Sequence, residues 1–281
     1  MSQLWRDHLR VFIAPERVDI VRVSRSIKSL GRPVQVPRLT YPCDQNLNRP
    51  VWEPSVRKFE HLMKNAANTE ITITLSNHFV RYVTLPPQTK ITKPGEVDAY
   101  AIFRLREIYG ERADNWEHSV SAWDPLGGAI CAAIDTRLSE QLEEIIKRYK
   151  GKLKSIDPYF ASVFDACKQQ LRGSRIYFAV IEKGRICIAL LINGVWQNIR
   201  NQRILNSIEK EFLAALDQEA VLYGQREIIE QVNLFAPENP EFKLPVGCGW
   251  RITSLQPKQF SKQALYPFPE DNSDKVNQCV A

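Results

Sequence analysis

No stretch of the 281-residue chain approaches the ~20 consecutive apolar residues that a membrane-spanning helix requires. The opening residues, MSQLWRDHLR, are charged and lack the apolar core of a secretory leader, so a cytoplasmic protein is expected. Cysteine is scattered: Cys43, Cys131, Cys167, Cys187, Cys248 and Cys279 include no CxxC pair. A zinc site or a disulfide framework needs clustered ligands, so neither is expected. His8, His61, His78 and His118 are equally dispersed and read as structural or surface residues. There is no GxSxG, no P-loop GxxxxGKS/T, no GxGxxG and no HExxH. There is no Lys/Arg block either. The net charge of +6 is mild and its cations are spread among acids, which argues against a nucleic-acid binder.

What is present is the composition of a globular protein, 44% hydrophobic and 25% charged, with length for about two domains or lobes. The best-specified stretch is RIYFAVIEKGRICIALLINGVWQNIRNQR, residues 175–203. It predicts three strands, 176–181, 185–192 and 195–203, joined by turns at Glu182-Lys183-Gly184 and Asn193-Gly194. Asn-Gly is a strong hairpin signal because both residues tolerate the positive φ of a tight turn. Ile176, Phe178 and Val180 alternate with Tyr177, Ala179 and Ile181, so both faces are apolar. Such a strand belongs at the centre of a sheet covered by helices on both sides. Cys187 lies inside this pattern, as Cys131 and Cys167 lie inside others, where cysteine acts as a small buried hydrophobe.

Upstream, residues 9–13 and 18–23 predict a hairpin around Ala14-Pro15-Glu16-Arg17, and 34–39 a third strand. A helix follows with Val56, Phe59, Leu62, Met63 and Ala66 on one face, then the strand Ile71-Ile73-Leu75. The middle section predicts strands at 79–85, 116–123 and 129–134 and helices at 96–109 and from Thr136, its expected cap, to Gly151. After a short strand at 153–156, Asp157-Pro158 is expected to cap and open a helix carrying Phe160, Val163, Phe164, Cys167 and Leu171. Asn206, with Glu209 three residues on, is expected to start another helix, followed by a strand at 228–234 and a short apolar piece at 250–252. Residues 257–281 are polar and proline-dotted and are expected to form a disordered tail.

Residues 9–75 and 175–234 thus share one order: hairpin, third strand, helix, strand. Two βββαβ units predict an α/β, actin-like (ribonuclease H-like), two-lobed fold. The expected divisions are 1–76 as the first half of lobe I, 77–157 as an inserted subdomain, 158–256 as the second lobe and 257–281 as the tail.

Several stretches carry a family resemblance: LSNHFVRYVTLP, EVDAYAIFRLREIYGERADNWE, AICAAIDTRLSEQLEEI, SIDPYF and EKGRICIALLINGVWQNIR. In them the chain resembles the actin-like cytoplasmic proteins of the PilM family of type IV pilus assembly and the GspL family of type II secretion. The resemblance spans residues 9–234 in element order and 75–200 in motif. It implies a cytoplasmic adaptor, peripheral at the inner membrane. Its partners would be the cytoplasmic tail of an inner-membrane assembly protein and an assembly ATPase. The absence of a membrane segment matches PilM and departs from whole GspL.

Active members of the fold cradle nucleotide phosphates with two Asp-x-Gly turns, an acid for Mg²⁺ and a glycine for close backbone approach. Here Ala14-Pro15-Glu16-Arg17 lacks the motif, and its proline removes a donor. Glu182, Lys183 and Gly184 keep the acid and the glycine as a degenerate nucleotide site, with Cys187 where a hydroxyl is expected. ATP with Mg²⁺ is the one cofactor the resemblance allows, and Gly247-Cys248-Gly249 the nearest adenosine-binding glycine pair. Hydrolysis is not expected; the alternative is an active actin-like ATPase or small-molecule kinase. For the partner, Phe79, Arg81, Tyr82 and Val83 form a strand able to accept an added peptide strand. Trp116, Trp123 and Trp196 are expected in the core rather than as partner anchors.

Overall fold

The computed structural model describes residues 7–24, 34–35, 38–44, 49–223 and 230–256. The first unit contains β1 (His8–Ala14), β2 (Arg17–Ser24), β3 (Val34–Gln35), β4 (Leu39–Pro42), α1 (Glu53–Met63) and β5 (Glu70–Leu75). The middle section supplies β6 (Val80–Leu85), α2 (Pro94–Tyr109), β7 (Trp116–Val120), β8 (Ala129–Asp135), α3 (Thr136–Arg148) and β9 (Lys152–Pro158). The second unit follows with α4 (Tyr159–Cys167), β10 (Arg175–Glu182), β11 (Arg185–Ile192), β12 (Val195–Arg203), α5 (Ile208–Leu222), β13 (Glu230–Phe235) and β14 (Trp250–Ser254).

The repeat is real. In the first sheet, ordered β3-β2-β1-β5-β9 with β4 also on β2, the β1–β2 hairpin is antiparallel and β5 returns parallel to β1. In the second, ordered β12-β11-β10-β13-β14, the β10–β11 hairpin is antiparallel and β13 returns parallel to β10. A parallel return needs a crossover, and α1 and α5 provide the two. A third sheet, β6-β8-β7, is wholly antiparallel.

The alternation in β10 sorts its side chains as expected. Phe178 and Val180 enter a core shared with Phe12, Phe59, Ile73, Leu138 and Phe160, so the two large sheets are sealed by one apolar layer. Tyr177, Ala179 and Ile181 enter a second core with Phe212 and Leu216 of α5. Rings tie α4 to β10: Phe160 and Phe164 stand edge-on to Phe178 at 5.1 and 5.2 Å. A third, smaller core joins Val83, Leu85 and Cys131 to Ala101 and Leu105 of α2.

Three helix starts differ from expectation by about one residue. Asp135, not Thr136, caps α3, its carboxylate accepting the Arg137 N–H. Asp157 does not cap α4: it remains in β9 and accepts the Ser155 hydroxyl at 2.9 Å, while Pro158 takes the cap position. Ser207, not Asn206, caps α5, and Glu211 accepts the N–H groups of Leu205 and Asn206. For α3 and α5 a second small polar residue stands next to the expected one, and spacing alone does not separate them. The strand expected over 116–123 stops at Val120, where Ser121-Ala122-Trp123 leads into an Asp124–Gly128 turn. The apolar piece at 250–252 is an edge strand on β13. The tail expectation for 257–281 lies outside the described residues.

Candidate functional site

The two hairpin turns meet. Glu16, in the β1–β2 turn, and Lys183, in the β10–β11 turn, form an ion pair between the two units. Glu238, just after β13, accepts the backbone N–H of Lys183 at 3.0 Å and pairs with Arg17. The space left between the turns, lined among others by Pro15, Glu16, Arg17, Glu182, Lys183 and Glu238, is about 40 Å³. A ligand pocket ordinarily offers at least about 300 Å³.

Glu182 does not face that space with free oxygens. Its carboxylate is buried and accepts the Ser76 hydroxyl at 2.7 Å and the Asn77 backbone N–H at 2.8 Å. Burial pushes its pKa up to about 7, against the two hydrogen bonds that favour the charged form. Asn77 in turn accepts the Tyr82 hydroxyl (2.7 Å) and the Phe160 N–H (3.1 Å) on its side-chain oxygen. Asn201 of β12 donates to the Asn77 carbonyl at 2.8 Å and the Val80 carbonyl at 3.0 Å. His78 lies 2.9 Å from the Lys183 carbonyl through Nε2, and burial holds its pKa down to about 4. The ring is therefore neutral at neutral pH and Nε2–H is the donor. Gly184 sits at φ +76°, a left-handed conformation that favours glycine.

Ser76-Asn77-His78 is thus the polar joint between the units, and the site residues expected from sequence did not include it. Its signal was available: three polar residues follow the alternating strand Ile71–Leu75 and precede another apolar strand.

These residues do not fit a Mg²⁺–nucleotide. Pro15 has no N–H, the Lys183 N–H is taken by Glu238, and the Glu182 oxygens are turned to Ser76 and Asn77. The two cations of the turns, Lys183 and Arg17, are already paired with Glu16 and Glu238. Among the described residues, no group of three or more His, Cys, Asp or Glu side chains is placed to hold a metal ion. The Glu16–Lys183 pair itself is exposed on both sides, so it contributes little. Lys183→Ala is expected to change the unfolding free energy by under about 1 kcal/mol, read from urea midpoints.

A larger cavity, of about 460 Å³, lies elsewhere. The β6-β8-β7 sheet has one face under α2, where Tyr109 and Trp116 meet edge-on at 5.1 Å. Tyr82, Ser119 and Ala132 line a groove on its other face. Opposite them stand Phe160 and Phe164 of α4, the end of β9, and Trp196, which stacks on Phe164 at 4.7 Å. β7 is the outer strand of its sheet, and among the described residues no strand pairs with its far edge. Ser121 N–H bonds the Ile130 carbonyl, so by antiparallel alternation the backbone groups of His118 and Val120 point outward.

The four residues expected to meet a partner are differently placed. Phe79 is in the main core, Val83 is under α2, and Tyr82 lies in the groove floor with its hydroxyl on Asn77. Arg81 folds back to donate to the Val80 carbonyl at 3.1 Å. The outer side of β6 looks toward β12, with Asn201 on the Val80 carbonyl, so the accessible strand edge at the groove is that of β7. Trp116 and Trp123 pack on Tyr109 and Tyr100, as core residues do, and the Trp123 indole N–H bonds the Ile91 carbonyl. Trp196 is half-buried at the groove.

No protein-family model matches the chain, and no curated protein matches it in sequence. Solved structures do. The cytoplasmic domain of EpsL, an inner membrane component of the type II secretion system of Vibrio cholerae, is 12% identical with a TM-score of 0.53, over 92% of each chain. The PilM–PilN type IV pilus biogenesis complex contains a chain 15% identical with a TM-score of 0.60, covering 89% of this chain and 88% of that one. A Bacteroides thetaiotaomicron protein of actin-like ATPase fold and unknown function is 8% identical with a TM-score of 0.52, over 84% of each chain. The protein therefore has the actin-like ATPase fold, in the form shared with PilM and the cytoplasmic domain of EpsL.

Proposed function

We propose that this protein is a non-catalytic adaptor of a type IV pilus or type II secretion platform at the inner face of the membrane. Its groove between β7 and α4 takes an extended segment from the cytoplasmic tail of an inner-membrane assembly protein. Residues 77–157 act as the inserted unit that builds one wall of this groove. The carrying observation is the contrast between the two cavities: about 460 Å³ beside a strand edge that no described strand pairs with, against about 40 Å³ between the hairpin turns. An extended peptide added to β7 would gain main-chain hydrogen bonds, and the apolar floor would receive alternate side chains. The likeness to PilM, solved as a complex with PilN, and to a domain of an inner-membrane secretion component supports the setting. The alternative of an ATPase or small-molecule kinase lacks support at the turns, where Glu16 and Glu238 already engage Lys183 and Arg17.

No helix among the described residues is long and apolar enough to cross a membrane, so attachment would run through the partner. The test is a photo-crosslinking side chain placed at Ser119 in cells of the source organism. An adduct with an inner-membrane assembly protein is expected. Adducts only from a control position on exposed Val221 of α5 would contradict the reading.

A further inference from the structure

The groove has an unusual charge for this chain. The sequence holds 38 Lys and Arg against 32 Asp and Glu, yet none of the groove-lining residues is Lys or Arg. Three are carboxylates: Glu117 on β7, Asp157 at the end of β9 and Asp165 on α4. Asp157 is half-buried, accepts only the Ser155 hydroxyl at 2.9 Å, and has no ion pair among the described residues. Among the described residues Asp165 has one cation near it, Lys168 at 3.6 Å just past the end of α4, and both are exposed. Glu117 is exposed and has no ion pair among the described residues. The one basic ring of the lining, His118, is already engaged 2.8 Å from Asp98. Burial, with Asp165 adding to it, raises the Asp157 pKa above the usual carboxylate value. This is a carboxylate set in an apolar wall without its counter-charge.

We infer that the groove selects an extended apolar segment bearing a positive charge, and that Asp157, backed by Asp165, receives that cation. The inference rests on the docking reading above and adds the chemistry of the occupant. A cation arriving beside Asp157 favours its ionised form and restores the interaction that burial denies it. Cytoplasmic segments next to membrane helices carry an excess of Lys and Arg, so the tail of an inner-membrane protein has this chemistry without further assumption. The apolar side chains of the same segment would lie on Tyr82, Ala132, Phe160 and Phe164.

The experiment uses the full chain and three short fluorescein-labelled peptides of one extended apolar sequence, differing at a single end residue: Lys, Gln or Glu. Fluorescence anisotropy is expected to rank them Lys, Gln, Glu, with about tenfold between the first two at low salt and less at high salt. The double variant Asp157→Asn, Asp165→Asn should bind the Lys and Gln peptides alike, and its thermal midpoint checks that it remains folded. Equal binding of all three peptides by the wild type would overturn the charge inference and leave the docking reading standing. Binding of none, or binding that Ala132→Trp leaves unchanged, would remove the docking reading and this inference together.

Discussion

Ala132→Trp should abolish partner capture while leaving the protein folded. Ala132 stands in the middle strand of the three-stranded sheet, half-buried, with its methyl group toward the groove. Its register partners are Tyr82 on β6 and Ser119 on β7, so an indole there sits between both walls. The ring extends into open space rather than into the core, so overpacking strain is small. A segment excluded from a central, desolvated pocket loses the contacts that dominate binding, worth at least about 2 kcal/mol, or roughly 30-fold in affinity. Capture of the inner-membrane partner from detergent-solubilised membranes, quantified against wild type, reads the loss. Undiminished capture by a folded variant would place the interface elsewhere.

The second large effect is on stability. Glu182→Gln is expected to stabilise the protein above about pH 7. The carboxyl moves from 4.5 to about 7 on folding, because burial opposes its charge more than Ser76 and Asn77 favour it. An acid with a raised folded pKa holds more protons in the folded chain between those values, so its contribution declines as pH rises from 4.5 through 7. Above pH 7 the ionised group opposes folding by about 3 kcal/mol. Gln keeps an acceptor for the Asn77 N–H and can donate to the Ser76 oxygen, so it removes the charge without emptying the joint. His78 works in the opposite sense. Its folded pKa of about 4 lies below the usual 6.5, so stability rises with pH between those values. In the wild type the two slopes offset between about pH 4.5 and 6.5, and Glu182→Gln exposes the rising one. Urea midpoints of variant and wild type at several pH values measure the difference. A variant less stable than wild type at pH 8 would mean that the ionised Glu182 supports the fold through its hydrogen bonds to Ser76 and Asn77.

Much of the fold was legible because it is written in short periods. The two apolar faces of β10 require burial on both sides, and the structure divides them between two cores. The order hairpin, strand, helix, strand recurs, and each parallel return follows from its crossover helix. Helix starts were legible only to about one residue, since Asp135 beside Thr136 and Ser207 beside Asn206 are both competent caps.

The sites were harder. The poverty of the first turn is visible in Pro15, but the acid that occupies the Lys183 N–H comes from Glu238, 55 residues away. Glu182 reads as a possible metal ligand in sequence; only its burial against Ser76 and Asn77 turns it into a joint. The groove was not legible at all, because Tyr82, Ser119, Ala132, Asp157, Phe160 and Trp196 come from six separate elements and no spacing links them. The strand 79–85 looked like an acceptor because it alternates well. Alternation reports two buried faces, however, and does not report which edge is free.

Hydrogen exchange on the full chain, with the partner's cytoplasmic tail in one series and Mg²⁺–ATP in another, separates a docking groove at β7 from a nucleotide site at the turns. The tail should slow exchange at His118 and Val120 of β7, while Mg²⁺–ATP leaves residues 14–17 and 182–185 unchanged. Protection of those two turns by Mg²⁺–ATP, with none at β7 from the tail, would contradict the docking reading.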